Sequence, residues 1–111
     1  MILGTGLGNF ADQIEAPAVL PYDEVPGLAK ATALGHSGNF VSGQLHGVSV
    51  LAMQGRFHLY EGYSASTVTL PVRVMVELGI RCLIVSNAAG GLHPAHRVGD
   101  LMVLDDHINL T

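Results

Sequence analysis

The run Gly55-Arg56-Phe57-His58-Leu59-Tyr60-Glu61-Gly62 places an arginine, a histidine, a tyrosine and a carboxylate between two glycines. Those side chains suit an anion and a sugar. Arginine presents a rigid fork of donors that matches phosphate, histidine can change charge near neutral pH, and tyrosine combines a flat apolar face with a hydroxyl. The glycines let the backbone bend close to a ligand. Taken alone, the run has one alternative reading, an exposed polar turn whose side chains meet only water.

A second run, Ser86-Asn87-Ala88-Ala89-Gly90-Gly91, directly follows the apolar stretch Cys82-Leu83-Ile84-Val85. Small residues at the carboxyl end of a parallel strand let backbone N–H groups face a ligand, the usual place for a site in an open α/β sheet. A tight turn that needs glycine only for its φ angles accounts for Gly90 and Gly91, and less well for Asn87, Ala88 and Ala89. Gly4-Thr5-Gly6-Leu7-Gly8 invites a dinucleotide reading, but the third glycine of G-x-G-x-x-G falls on Asn9, and no P-loop lysine follows. What remains is a backbone nest with the Thr5 hydroxyl at a helix start, a generic seat for one phosphate. Gly35-His36-Ser37-Gly38 sets another histidine between glycines and, alone, reads as a solvated turn. His93, His96 and His107 fit zinc spacing only loosely, in a loop marked by Gly91, Pro94 and Gly99, so no metal site is expected. Asp105-Asp106-His107 receives no catalytic role.

The elements that must position these loops are short and apolar. Met1 to Leu3 read as a strand end, followed by the glycine turn and a short helix to about Ile14. Residues 16 to 38, with Pro17, Pro21, Pro26 and several glycines, read as a long irregular connection of the kind that is more often functional than idle. Phe40–Leu45 and Val48–Met53 form a hairpin around His46-Gly47. Ala65, Val68, Val72, Met75 and Leu78 recur at helical spacing from Ser64 or Ser66 to a stop at Gly79, with a kink expected at Pro71. Arg81–Ser86 and Leu101–Leu104 read as parallel strands buried on both faces. The fold class is therefore α/β: a mixed, largely parallel sheet flanked by helices.

Charged residues make up 13% of the 111-residue chain against about 25% in ordinary soluble domains, hydrophobic ones 49%, and Lys30 is the single lysine. Such a shortage of polar covering implies elements buried on both faces, a large oligomer interface, or a piece of something larger. A membrane span needs about 18 consecutive apolar residues, which the chain lacks, and its start has no secretory signal, so the expected location is cytoplasmic. Cys82, the only cysteine, rules out an internal disulfide and reads as a buried core thiol. A net charge of −4 offers no basic field for nucleic acid, so any anion must be held locally.

Taken in order and spacing, the glycine turn at 4–8, Gly35-His36-Ser37-Gly38, Gln54 to Gly62, Pro71-Val72-Arg73-Val74, Asn87 to Gly91, and Gly99-Asp100 through Asp106-His107-Ile108-Asn109 resemble the trimeric purine nucleoside phosphorylases over nearly the whole chain. The resemblance implies a three-layer, nucleoside phosphorylase-like fold and a reaction in which inorganic phosphate cleaves inosine, guanosine or their 2′-deoxy forms to purine base and (deoxy)ribose 1-phosphate. It implies that Thr5, His36, Arg56, His58 and the Ala88 backbone N–H hold phosphate, with Arg56, His58 and Glu61 as the catalytic group and Glu61 orienting His58. Thr5 stands where the family more often has serine, which keeps the hydroxyl. Tyr60 is implied to lie against ribose, and Asn87, Ala89 and Gly90 to line the purine side. Phosphate is then a co-substrate, no metal or organic cofactor is needed, and the partner is a further copy of the chain, as a homotrimer.

Members of that family run to well over twice this length, and their purine-recognising glutamate and asparagine lie in the second half. Residues 1–111 accordingly read as the N-terminal part of a single phosphorylase domain with no internal boundary, an incomplete fold that leaves the base preference undetermined. A reading from another class is a non-catalytic fragment that binds phosphate or another chain.

Overall fold

The computed structural model describes residues 1–29 and 37–110. Four strands form one sheet in the order β1-β4-β3-β2, with β1 at Ile2–Leu3, β2 at Glu15–Pro21, β3 at Asn39–Leu45 and β4 at Val48–Gln54. β1 runs parallel to β4, whereas β4 with β3 and β3 with β2 are antiparallel. The sheet is mixed, as expected, but two of its three described pairings are antiparallel, because the hairpin and its edge strand make up most of it, so it is not largely parallel. Its parallel part is the β1 side, where an isolated parallel bridge joins Ile2 to Val85.

The β3–β4 hairpin turns through His46 at φ 50° and Gly47 at φ 78°. Two consecutive positive φ values define the turn whose twist matches that of paired strands. Alternation then sorts the side chains. Ile2, Phe40 and Met53 face one side with Tyr22, Phe57 and Met75, while Leu3, Val41 and Ala52 face the other with Ala11 and Ile14.

The first face is covered by helix α1, Ala65–Glu77. Ser64 caps its start, the hydroxyl accepting from Thr67 N–H at 3.2 Å. Val68, Val72 and Met75 supply the inward stripe. At its end Gly79 takes φ 86°. Gly79 N–H donates to Val76 O at 2.9 Å and Ile80 N–H to Met75 O at 3.2 Å, the paired bonds of a Schellman stop. The helix runs on through Pro71, so the kink expected there does not end it. The second face is covered by the 3₁₀ turn Gly8–Gln13, giving a thin three-layer arrangement.

Expectations for three segments and for one side chain are corrected. The stretch from 16 onward is not wholly irregular, because Glu15–Pro21 pairs with β3 as an edge strand. An edge position tolerates the missing N–H of Pro17, and the register shifts between Glu15 and Ala18, with Ala16 at φ 48°. Residues 81–86 contribute only the bridge at Val85, with Ile84 and Val85 more than half exposed. Leu101–Leu104 make no strand among the described residues and lie exposed. An apolar strand needs a layer on each face, and α1 and the 3₁₀ turn cover only the sheet beside them. Cys82 is exposed rather than buried for the same reason. No helix among the described residues is long and apolar enough to cross a membrane.

Candidate active site

Strand direction gathers the chemistry-bearing loops. β1, β4 and the Val85 bridge are mutually parallel, with Ile2 opposite both Met53 and Val85. The Gly4 turn, the Gly55–Gly62 loop and the Ser86–Gly91 run therefore leave the sheet at one edge, beyond the carboxyl ends of the strands. β3 enters at that edge too, since Asn39 pairs with Gln54 and Gly38 N–H donates to Gln54 O at 3.0 Å. His36 lies outside the described residues.

Ser86 knots two of these loops together. Its hydroxyl accepts from Gly4 N–H at 3.0 Å and donates to Ile2 O at 3.3 Å, and its carbonyl accepts from Arg56 Nη1 at 2.7 Å. The approach is so close that a Cβ on Gly4 would sit 2.4 Å from the Ser86 carbonyl oxygen. Sequence reasoning included Ser86 in its run and missed this role. Gln54, named only as the start of its run, has a similar bridging role: its Nε2 donates to Gly8 O at 3.2 Å while its Oε1 accepts from Asn39 Nδ2 at 3.3 Å.

Within the Gly55–Gly62 loop, His58 and Glu61 bracket a short 3₁₀ turn, Leu59–Glu61, with reciprocal caps. The Glu61 carboxylate accepts from His58 N–H at 2.7 Å, and the His58 side chain accepts from Glu61 N–H. Glu61 thus orients His58 through the main chain. Tyr60 stacks on the His58 ring, centroids 4.6 Å apart at 17°, and is 80% exposed, its hydroxyl end in the open.

The remaining candidates flank this knot. Thr5 is exposed at the head of the turn that Leu7 N–H closes onto Gly4 O at 3.0 Å. Asn87 donates to Ala88 O at 3.1 Å, and Ala88, Ala89 and Gly90 are exposed just beyond Ser86. His93 and His96 stand with ring centroids 5.4 Å apart, and no group of three metal-ligating side chains occurs among the described residues.

A model of the phosphorylase superfamily matches residues 1–111. The chain belongs to that superfamily. It is 58% identical over 109 residues to purine nucleoside phosphorylase 1 of Bacillus subtilis, covering 98% of this chain and 40% of that protein. It is 51% identical over 110 residues to purine nucleoside phosphorylase of Rattus norvegicus, covering 99% of this chain and 38% of that one. Among solved structures, a purine nucleoside phosphorylase in complex with ribose 1-phosphate superposes at a TM-score of 0.81 with 52% identity, over 89% of this chain and 36% of the other. The Schistosoma mansoni enzyme with inosine gives 0.79 and 48%, over 89% and 35%. The chain spans about two fifths of the length of these superfamily relatives.

Proposed function

We propose that the protein carrying this segment is a purine nucleoside phosphorylase that converts inosine, guanosine or their 2′-deoxy forms and inorganic phosphate to purine base and (deoxy)ribose 1-phosphate. The observation that carries the reading is the convergence of Arg56, His58 and the Ser86–Gly90 run on one edge of the sheet. The relative holding ribose 1-phosphate supports the choice of ligand.

Breaking the glycosidic bond builds positive charge on the ribose. A phosphate dianion fixed beneath C1′ stabilises that charge and then attacks it, so catalysis rests on positioning and electrostatics. Arg56 and His58 supply positioned donors, which together hold the anion while leaving its charge available to the ribose. Thr5, His36 and the Ala88 N–H complete the cradle, Tyr60 lies against the sugar, and Asn87, Ala89 and Gly90 face the base. The reaction needs no metal or organic cofactor. A cytoplasmic homotrimer belongs to the same reading.

Steady-state phosphorolysis of inosine by the full-length protein tests it. Arg56→Ala, numbered as here, is expected to lower kcat/KM by at least about 10²-fold, the ordinary loss of a charge-assisted contact at a reacting centre. Normal turnover by that variant would remove the central assignment. That the segment spans about two fifths of its relatives' length favours a second reading for the segment alone, in which it binds phosphate without turnover. Release of hypoxanthine at a full enzyme's rate by the 111-residue chain would exclude that.

A further inference from the structure

Tyr22 is the largest of the fully buried side chains, 1% exposed, and lies outside every loop to which a ligand role has been assigned. Its ring meets Phe40 edge-on at 4.9 Å and Phe57 at 5.4 Å, which is ordinary core packing. Its hydroxyl is not ordinary in its choice of partner. It donates at 2.8 Å to the carbonyl oxygen of Gly55, the residue just past the last ladder pair of β4, where the chain turns at φ 97° into Arg56. The Tyr22 main chain is fastened to the same edge, its N–H donating to Gly38 O at 2.8 Å, while Gly38 N–H donates to Gln54 O at 3.0 Å.

Resting on the phosphorylase reading above, we propose that Tyr22 is a positioning residue for phosphate, its buried hydroxyl fixing the Gly55 peptide so that Arg56 leaves the sheet in the anion-binding direction. Arg56 is then held at both ends: at its main chain through Gly55 and Tyr22, and at its guanidinium by the Ser86 carbonyl at 2.7 Å. Because Gly55 takes a positive φ, several loop directions are open to it, and one directed hydrogen bond from a rigid ring selects among them. Phe57, two residues on, packs against the same ring, so hydroxyl and ring face bracket Arg56 from one side chain.

The test compares Tyr22→Phe with Phe40→Leu in the full-length protein, titrating phosphate at saturating inosine and inosine at saturating phosphate. Tyr22→Phe keeps the ring and removes the bond to Gly55; it is expected to raise KM for phosphate roughly three- to tenfold, the worth of one hydrogen bond, with KM for inosine within about twofold. Phe40→Leu removes a ring partner of Tyr22 and keeps that bond; it is expected to lower the melting temperature with phosphate KM unchanged. An unaltered phosphate KM in Tyr22→Phe overturns the proposal, as does an equal rise in Phe40→Leu. A Tyr22→Phe protein too unstable to assay also counts against it, because the hydroxyl would then serve the fold rather than the anion. Absence of phosphate-dependent turnover in the unaltered protein removes the phosphorylase reading itself.

Discussion

Arg56 donates to the carbonyl of Ser86 at 2.7 Å across 30 positions of chain, while the Ser86 hydroxyl accepts from Gly4 N–H at 3.0 Å. One serine thereby couples the loop that bears the guanidinium to the glycine turn after β1. Bringing these groups together depends on backbone closeness, which makes Gly4 the sensitive point.

Gly4→Ala is expected to fail where Gly90→Ala is tolerated. A methyl at Gly4 meets the Ser86 carbonyl oxygen at 2.4 Å, whereas one at Gly90 meets nothing within 4 Å. Overpacking of this kind costs about 1–3 kcal/mol, and a change in open surface about 0.5 kcal/mol or less. Thermal melting reads the difference in stability. A phosphate titration is expected to show Gly4→Ala weakened about tenfold or more, by the rule that small displacements in a catalytic site are costly. Equal melting temperatures for the two variants would mean that the approach of Gly4 to Ser86 is not a constraint.

Glu61→Ala removes the carboxylate that accepts from His58 N–H at 2.7 Å, while Glu61→Gln keeps an acceptor there. The alanine variant is expected to lose about 1 kcal/mol locally, the usual value of a cap, and about tenfold in kcat/KM as His58 loses its fixed orientation. The glutamine variant stays within about threefold of the parent. Equal damage by both would assign the effect to the negative charge instead of the cap.

Alkaline stability reports on Tyr22. Burial pushes its phenol above the ordinary value of 10.0. A group whose folded-state pKa is raised contributes stability that is complete below the unfolded value and is lost as pH climbs toward the folded one. The urea midpoint of the unaltered protein is therefore expected to fall above about pH 10, and to fall less steeply in Tyr22→Phe. Parallel curves for the two proteins between pH 8 and 11 would contradict the assignment.

The parts of this molecule legible in sequence are those where local chemistry decides. His46-Gly47 dictates its own turn, Ser64 and Gly79 bound α1, and the loops at 4–8, 55–62 and 86–91 carry their composition openly. What stayed hidden depends on neighbours. β2 escapes notice because Pro17 and Pro21 signal a break, and only its edge position beside β3 makes them acceptable. Tyr22 sits in that same proline-rich stretch, and its bond to Gly55 spans 33 residues that no local pattern connects. Residues 81–86 show the opposite failure: the apolar pattern is strong, but a strand also requires layers to bury it, and one bridge at Val85 is all that forms here.

The most direct measurement is ³¹P NMR of the full-length protein with inosine and inorganic phosphate. The account predicts loss of the phosphate resonance and growth of a sugar-phosphate resonance, ribose 1-phosphate, in step with released hypoxanthine. Hypoxanthine appearing with free ribose while phosphate remains unconsumed would make water the nucleophile and contradict a phosphate seat at Arg56 and His58.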